Sequence, residues 1–193
     1  MIDDILMFWF GPLDDEGLSA PLQHGLWFKS SADTDDKCRE LFGTAVEQAI
    51  AGELDDWAAS DRGLIALMVL LDQFPRNIYR GTAAAFSGDA HALPLALQAI
   101  TEGRHLELPL IHRVFLYLPL EHCEDLAVQE QCVSLFEDMA RSTGLAQMED
   151  FSRYAVAHRD VITQFGRFPH RNIILERPSS PAELEHIATH GGF

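Results

Sequence analysis

SDRGLIALMVLLDQFPRNIYRG, residues 60–81, is the stretch on which the fold turns. Leu64 to Leu71 is an apolar run with no polar face, so a helix built from it must sit at the centre of a core. Ser60 stands where an N-cap is needed. Pro75 has no N–H to give a helix and biases Phe74 toward an extended backbone. The helix is therefore expected to stop there, with Phe74 anchored just past its end and Arg76 and Asn77 on the following turn.

The flanking segments carry helical spacing in the same way. IDDILMFWFG reads as a short helix stopped at Gly11. From about Asp35, the positions Cys38, Leu41, Phe42, Ala45, Val46, Ala49 and Ile50 step by three and four. Asp89 is the expected cap of the next helix, with Gly103 as its stop and Pro94 shifting its start or bending it. Pro119 is expected to divide the segment 110–144 into two helices, the second burying Val128, Cys132, Leu135, Phe136 and Met139. Phe151, Tyr154, Ala155, His158, Ile162 and Phe165 form the buried stripe of another helix. Ser180, Pro181 and Glu183 spell a capping box for the last one. Few segments alternate with period two. The expectation is an all-α protein of antiparallel helix pairs, in one domain spanning residues 1–193.

Composition narrows the function classes. The net charge is −16, from 30 acidic and 14 basic residues, and such a chain repels phosphate backbones, which argues against a nucleic-acid partner. Eleven Arg lie from Arg62 onward, so anion contacts are expected there and not in the acidic first third. The apolar run 64–71 is too short to cross a bilayer, so no membrane role is expected. Cys38, Cys123 and Cys132 form no CxxC pair, which fits a reducing, cytoplasmic setting.

The opening motif has an echo. QFGRFPHRNIIL, residues 164–175, repeats Phe-Pro-Arg-Asn with a His inserted. An Arg on such a turn presents five donors in a rigid fork. It can satisfy helix carbonyls and acids, or it can hold a carboxylate or phosphate. Between the echoes lies HRVFLYLPLEHCEDLAVQE. If helical after Pro119, it sets His122, Asp125 and Gln129 on one face, and a His among carboxylates can serve as acid or base. His158 adds an imidazole on an apolar face. No HExxH or Cys/His zinc spacing, Walker loop, GxSxG or GxGxxG occurs, so neither metal nor cofactor is expected.

Three blocks in this order, LDQFPRNIYRGTAAAF, HRVFLYLPLEHCEDLAVQE and AHRDVITQFGRFPHRN, resemble the DUF924 family, a bacterial family of uncharacterised proteins. ILMFWFG and LWFKSSADTDD resemble its opening blocks. The resemblance implies a tetratricopeptide-like, alpha-alpha superhelix array of helix pairs, and no reaction. Its motif positions fall on Asp72, Gln73, Phe74, Pro75, Arg76 and Asn77; on Pro119, Leu120, Glu121, His122, Glu124 and Asp125; and on His158, Phe165, Gly166, Arg167, Phe168, Pro169, Arg171 and Asn172. Cys123 stands where the family pattern has Ser, and Glu176 where it has Gly after the final Leu.

Three readings of these residues stay open. In the first, a helical cleft binds a small anionic ligand or a peptide, with Arg76, Asn77, Arg113, Arg167, His170, Arg171 and Asn172 as contacts. In the second, an enzyme acts on a small carboxylate- or phosphate-bearing substrate, with His122, Glu121 and Asp125 as the acid–base candidates. In the third, all of them form one polar network that fixes helix packing.

Overall fold

The computed structural model describes residues 1–29 and 31–191. These residues are predominantly helical and form no strand; one isolated bridge pairs Leu13 with Ser19. The all-α expectation holds. The chain divides into two compact units, the first made of Met1–Arg80 and Ala84–Pro119, the second of Gly81–Ala83 and the chain from Leu120 onward.

Unit 1 is built around the run quoted above. Helix α1 (Ile2–Phe10), α2 (Gln23–Phe28) and α3 (Ala32–Ile50) precede α4 (Asp61–Met68). Ser60 caps α4 by accepting the Gly63 N–H, as its sequence position predicts. Every residue of α4 from Gly63 to Met68 is buried. An aromatic cluster closes over it: Phe42 stacks on Phe74 at 4.9 Å, and Trp9 meets Phe74 edge-on at 5.3 Å.

Pro75 does not stop the helix. After Met68 the backbone widens into a π turn over Val69–Gln73, with the Phe74 N–H reaching back to the Val69 carbonyl. Helix α5 (Phe74–Ile78) continues from it with Pro75 in its first turn, and Phe74 is helical at φ −61°, ψ −34°. In α register the proline ring would press on the Leu71 carbonyl and leave it without its donor. The π turn shifts the register ahead of that ring. The carbonyl then faces Gly88, where a Cβ would stand 2.1 Å from it.

Gly88, and not Asp89, is the N-cap of α6 (Asp89–Thr101), which runs through Pro94 and ends ahead of Gly103 at φ 74°. Helix α7 (Leu110–Glu121) likewise runs through Pro119. Its break comes two residues later than the proline predicts.

Unit 2 centres on a helical hairpin of α8 (Leu126–Thr143) and α9 (Ala146–Phe165), turned at Gly144 in the left-handed region. Its facing stripes include Cys132, Phe136 and Met139 on α8 and Phe151, Ala155 and Ile162 on α9, all buried. Tyr154 is 61% exposed, contrary to its expected place in that stripe, and Leu41 of unit 1 is 54% exposed. Each sits at the margin of a helical face where the 3.6 period alone does not fix inward or outward orientation. A short helical turn at Pro169–Arg171 and α10 (Pro181–His190) complete the unit. Ser180 and Glu183 form the full capping box of α10.

Candidate functional site

In unit 1, Arg76 is committed to its own helix and the next. It donates to the Asp72 carbonyl at 2.5 Å and to both Asp89 carboxylate oxygens at 2.9 and 3.1 Å. Its guanidinium also lies 5.7 Å over the Phe86 ring. Asn77 donates to Asp35 at 2.8 Å, and Arg80 grips the same carboxylate with two nitrogens at 2.7 and 2.8 Å. The Arg80 hydrogen bonds hold Asp35 below the ordinary aspartate range. Arg113 lies half-buried on α7, and its charge adds to burial in lowering the His105 pKa.

The other candidates belong to unit 2. Glu121 ends α7 and is 6% exposed. One of its carboxylate oxygens lies 3.4 Å from His158 Nδ1, which also stands 2.8 Å from the Tyr154 carbonyl. Burial pushes the His158 pKa down to about 3, against the pull of that carbonyl, so the imidazole is neutral at pH 7. With Nδ1–H donated to Tyr154, Nε2 carries the lone pair. His122 is not on a helix. It sits in the loop between α7 and α8 and meets the His158 ring edge-on at 6.3 Å.

Asp125 is the N-cap of α8 and accepts the Val128 N–H at 3.1 Å, a structural role. The expected His122–Asp125–Gln129 face therefore does not form, because the helix begins after Asp125. Gln129 is fully buried and caps the end of α7, donating from Nε2 to the carbonyls of Glu121 and Cys123 at 2.5 and 2.8 Å.

The second Phe-Pro turn behaves as its sequence predicts. Phe168 is extended at φ −86°, ψ 108°, following Gly166 at φ 69°. The ring is fully buried against Val161 and Ile162. Arg171 lies 4.5 Å over it and His170 5.8 Å to its side. Arg167 makes a bidentate pair with Glu183 at 2.7 and 2.9 Å and bonds the Pro178 carbonyl. That pair and the Ser180 N–H hold Glu183 far below the usual carboxylate range. Asn172 is fully buried, donating to Ser179 and accepting from Arg177.

One cavity of about 300 Å³ opens in this unit. Ala157, Val161 and Pro169 give it apolar walls; His170, His186, His190, Asp160 and Gln164 give it polar ones. Burial, helped by the Arg171 charge, lowers the His170 pKa to about 4. His186 and His190 were not among the sequence candidates. Their four-residue spacing on α10 is the signal that could have found them. Among the described residues, no three His, Cys, Asp or Glu side chains are grouped to hold a metal, and no helix is long and apolar enough to cross a membrane.

Among curated proteins, none matches this chain. A solved structure, that of a protein of unknown function, ATU0120, from Agrobacterium tumefaciens, is similar at 36% identity. Its TM-score is 0.80 and the match covers 96% of each chain. The profile described as "Bacterial protein of unknown function (DUF924)" matches residues 5–191. The ordered motifs, the all-helical fold and this match agree: the chain belongs to the DUF924 family.

Proposed function

We propose that the protein binds a small ligand carrying a carboxylate or phosphate, and that it does so in the unit 2 cavity walled by His170. The observation that carries this reading is the union of cavity and field. A volume of about 300 Å³ suits a small metabolite. The Arg171 charge, which helps keep His170 neutral and outweighs the opposing Glu124 there, favours an anion at that wall. A neutral imidazole there meets an anion as an N–H donor. Asp160 on the rim is engaged by Arg159 at 2.7 Å, which reduces its repulsion of an anion.

A thermal-shift screen against inorganic phosphate, phosphorylated metabolites, dicarboxylates and short peptides tests this. At 100 times its dissociation constant, a true ligand adds about 2.7 kcal/mol. Wild type should respond to an anion and His170→Ala should not. A response only to peptides, no response at all, or a response kept by His170→Ala would overturn the assignment.

The Glu121–His158 pair favours a second reading, acid–base chemistry at His122. A carboxylate and a neutral imidazole stand together, with His122 beside them in a loop. Its test is turnover of a small anionic substrate that disappears in His122→Ala. The very low His158 pKa weighs against that residue as the base, so binding is the preferred reading. None of the three cysteines is in a disulfide, which supports a reducing compartment such as the cytoplasm.

A further inference from the structure

His186 and His190 occupy one face of α10, four residues apart. Their rings stack with centroids 4.6 Å apart and planes 22° apart. His186 is held in place by Phe165, whose ring it meets at 5.1 Å, and Phe165 in turn packs on the cluster of Val161, Ile162 and Phe168. His190 is exposed, and its Nδ1 lies 3.3 Å from the His186 carbonyl. A proton donated there leaves Nε2 with the lone pair that ligation needs. Both imidazoles line the cavity that His170 also lines.

Two imidazoles one helical turn apart can reach a common ion. We propose that α10 carries a two-histidine chelate for a divalent transition metal, with His186 and His190 as its ligands. Binding requires the stacked rings to turn until their nitrogens converge. The exposed His190 can turn at little cost in packing. Nitrogen donors select Cu²⁺, Ni²⁺ and Zn²⁺ over Mg²⁺ and Ca²⁺. This inference stands on the histidines and does not require that an anion bind.

The test is a Cu²⁺ titration of chelator-stripped full-length protein, followed by calorimetry and by electron paramagnetic resonance. One equivalent should bind with at least two imidazole nitrogens in the spectrum. His190→Ala should weaken binding by at least about tenfold, since loss of even an outer partner of a metal ligand costs that much. His91→Ala, which changes a unit 1 histidine, should leave it unchanged. Wild-type affinity in His190→Ala, or a single-nitrogen spectrum, would overturn the proposal. Repeating the anion screen in chelator separates the two readings. Anion shifts that persist there, with no specific metal binding, sink the chelate alone.

Discussion

Arg177 closes both terminal nitrogens on the Glu124 carboxylate, at 2.6 and 2.9 Å, and so ties the chain beyond the second Phe-Pro turn to the loop ahead of α8. Glu124 also accepts the Phe168 N–H at 2.8 Å, while Arg177 reaches Asn172 and the Phe168 carbonyl. One clasp thus fixes the turn that presents His170 and Arg171.

Glu124→Gln should therefore cost about 2 kcal/mol, the range for hydrogen bonds to a charged partner. Urea denaturation measures it. Burial raises the Glu124 pKa, but the Arg177 and Phe168 hydrogen bonds outweigh it and the net shift is downward. A depressed carboxylate contributes stability above its unfolded pKa and loses it as pH falls through the folded value. The wild-type advantage over Glu124→Gln should shrink below about pH 4.5.

Three histidines set a different pH window. Burial lowers His112 and His170 to about 4 and His158 to about 3. Below the unfolded value of about 6.5, the unfolded chain binds protons that these folded imidazoles refuse, so stability falls as pH falls. Each contributes a slope approaching about 1.4 kcal/mol per pH unit between pH 6 and the folded pKa. Denaturation midpoints at pH 7.5 and 5.5 should differ, and His158→Gln should flatten the dependence by roughly one histidine's share. An unchanged slope in that variant would contradict the burial of a neutral imidazole.

Glu176 adopts φ 53°, the left-handed region. The Arg177 N–H bonds the Asn172 carbonyl at 2.8 Å, which puts Glu176 at the position of a helix-ending turn that glycine usually fills. Glu176→Gly should stabilise the protein by up to about 1 kcal/mol, seen as a melting temperature higher by about 2–4 °C.

Gly88→Ala should be among the most damaging single methyl additions. Its φ of −90° is ordinary, so the obstacle is the Leu71 carbonyl at 2.1 Å from the new Cβ. Overpacking against backbone should cost about 3 kcal/mol or more. Gly43→Ala, where the nearest neighbour is the Arg39 side chain at 3.9 Å, serves as the tolerated control.

Capping was legible at Ser60, Ser180, Gly11 and Gly103 because it is local, though at α6 the N-cap is Gly88, one residue ahead of Asp89. The all-helical class was legible for the same reason. The prolines were misread where packing overrode the local rule. Pro75 and Pro119 lie in segments whose burial favours continuing the helix, whereas α9 has already ended at Gly166 before Pro169, which opens the next short turn. The candidate site was legible only in part. Arg76 and Asn77 proved to be held by Asp89 and Asp35, partners 13 and 42 residues away that spacing on one helix could not supply. His170 was found from its motif, but the cavity around it depends on α10, which no motif linked to it.

The π turn at Val69–Gln73 also sets a phase. A straight helix turns about 100° per residue, so one extra residue in a turn rotates all that follows by that angle. The azimuth of Arg76 and Asn77 is thus set by the count of residues before them as much as by their identity. Removing any one residue from 69–73 would leave the composition of the run almost untouched. With the π turn kept, the loss would swing Arg76 off Asp89 and Asn77 off Asp35, and closing the turn to α register would put the Pro75 ring back on a carbonyl, so this segment is intolerant of length change in a way that Val69, Leu70 and Leu71 conceal.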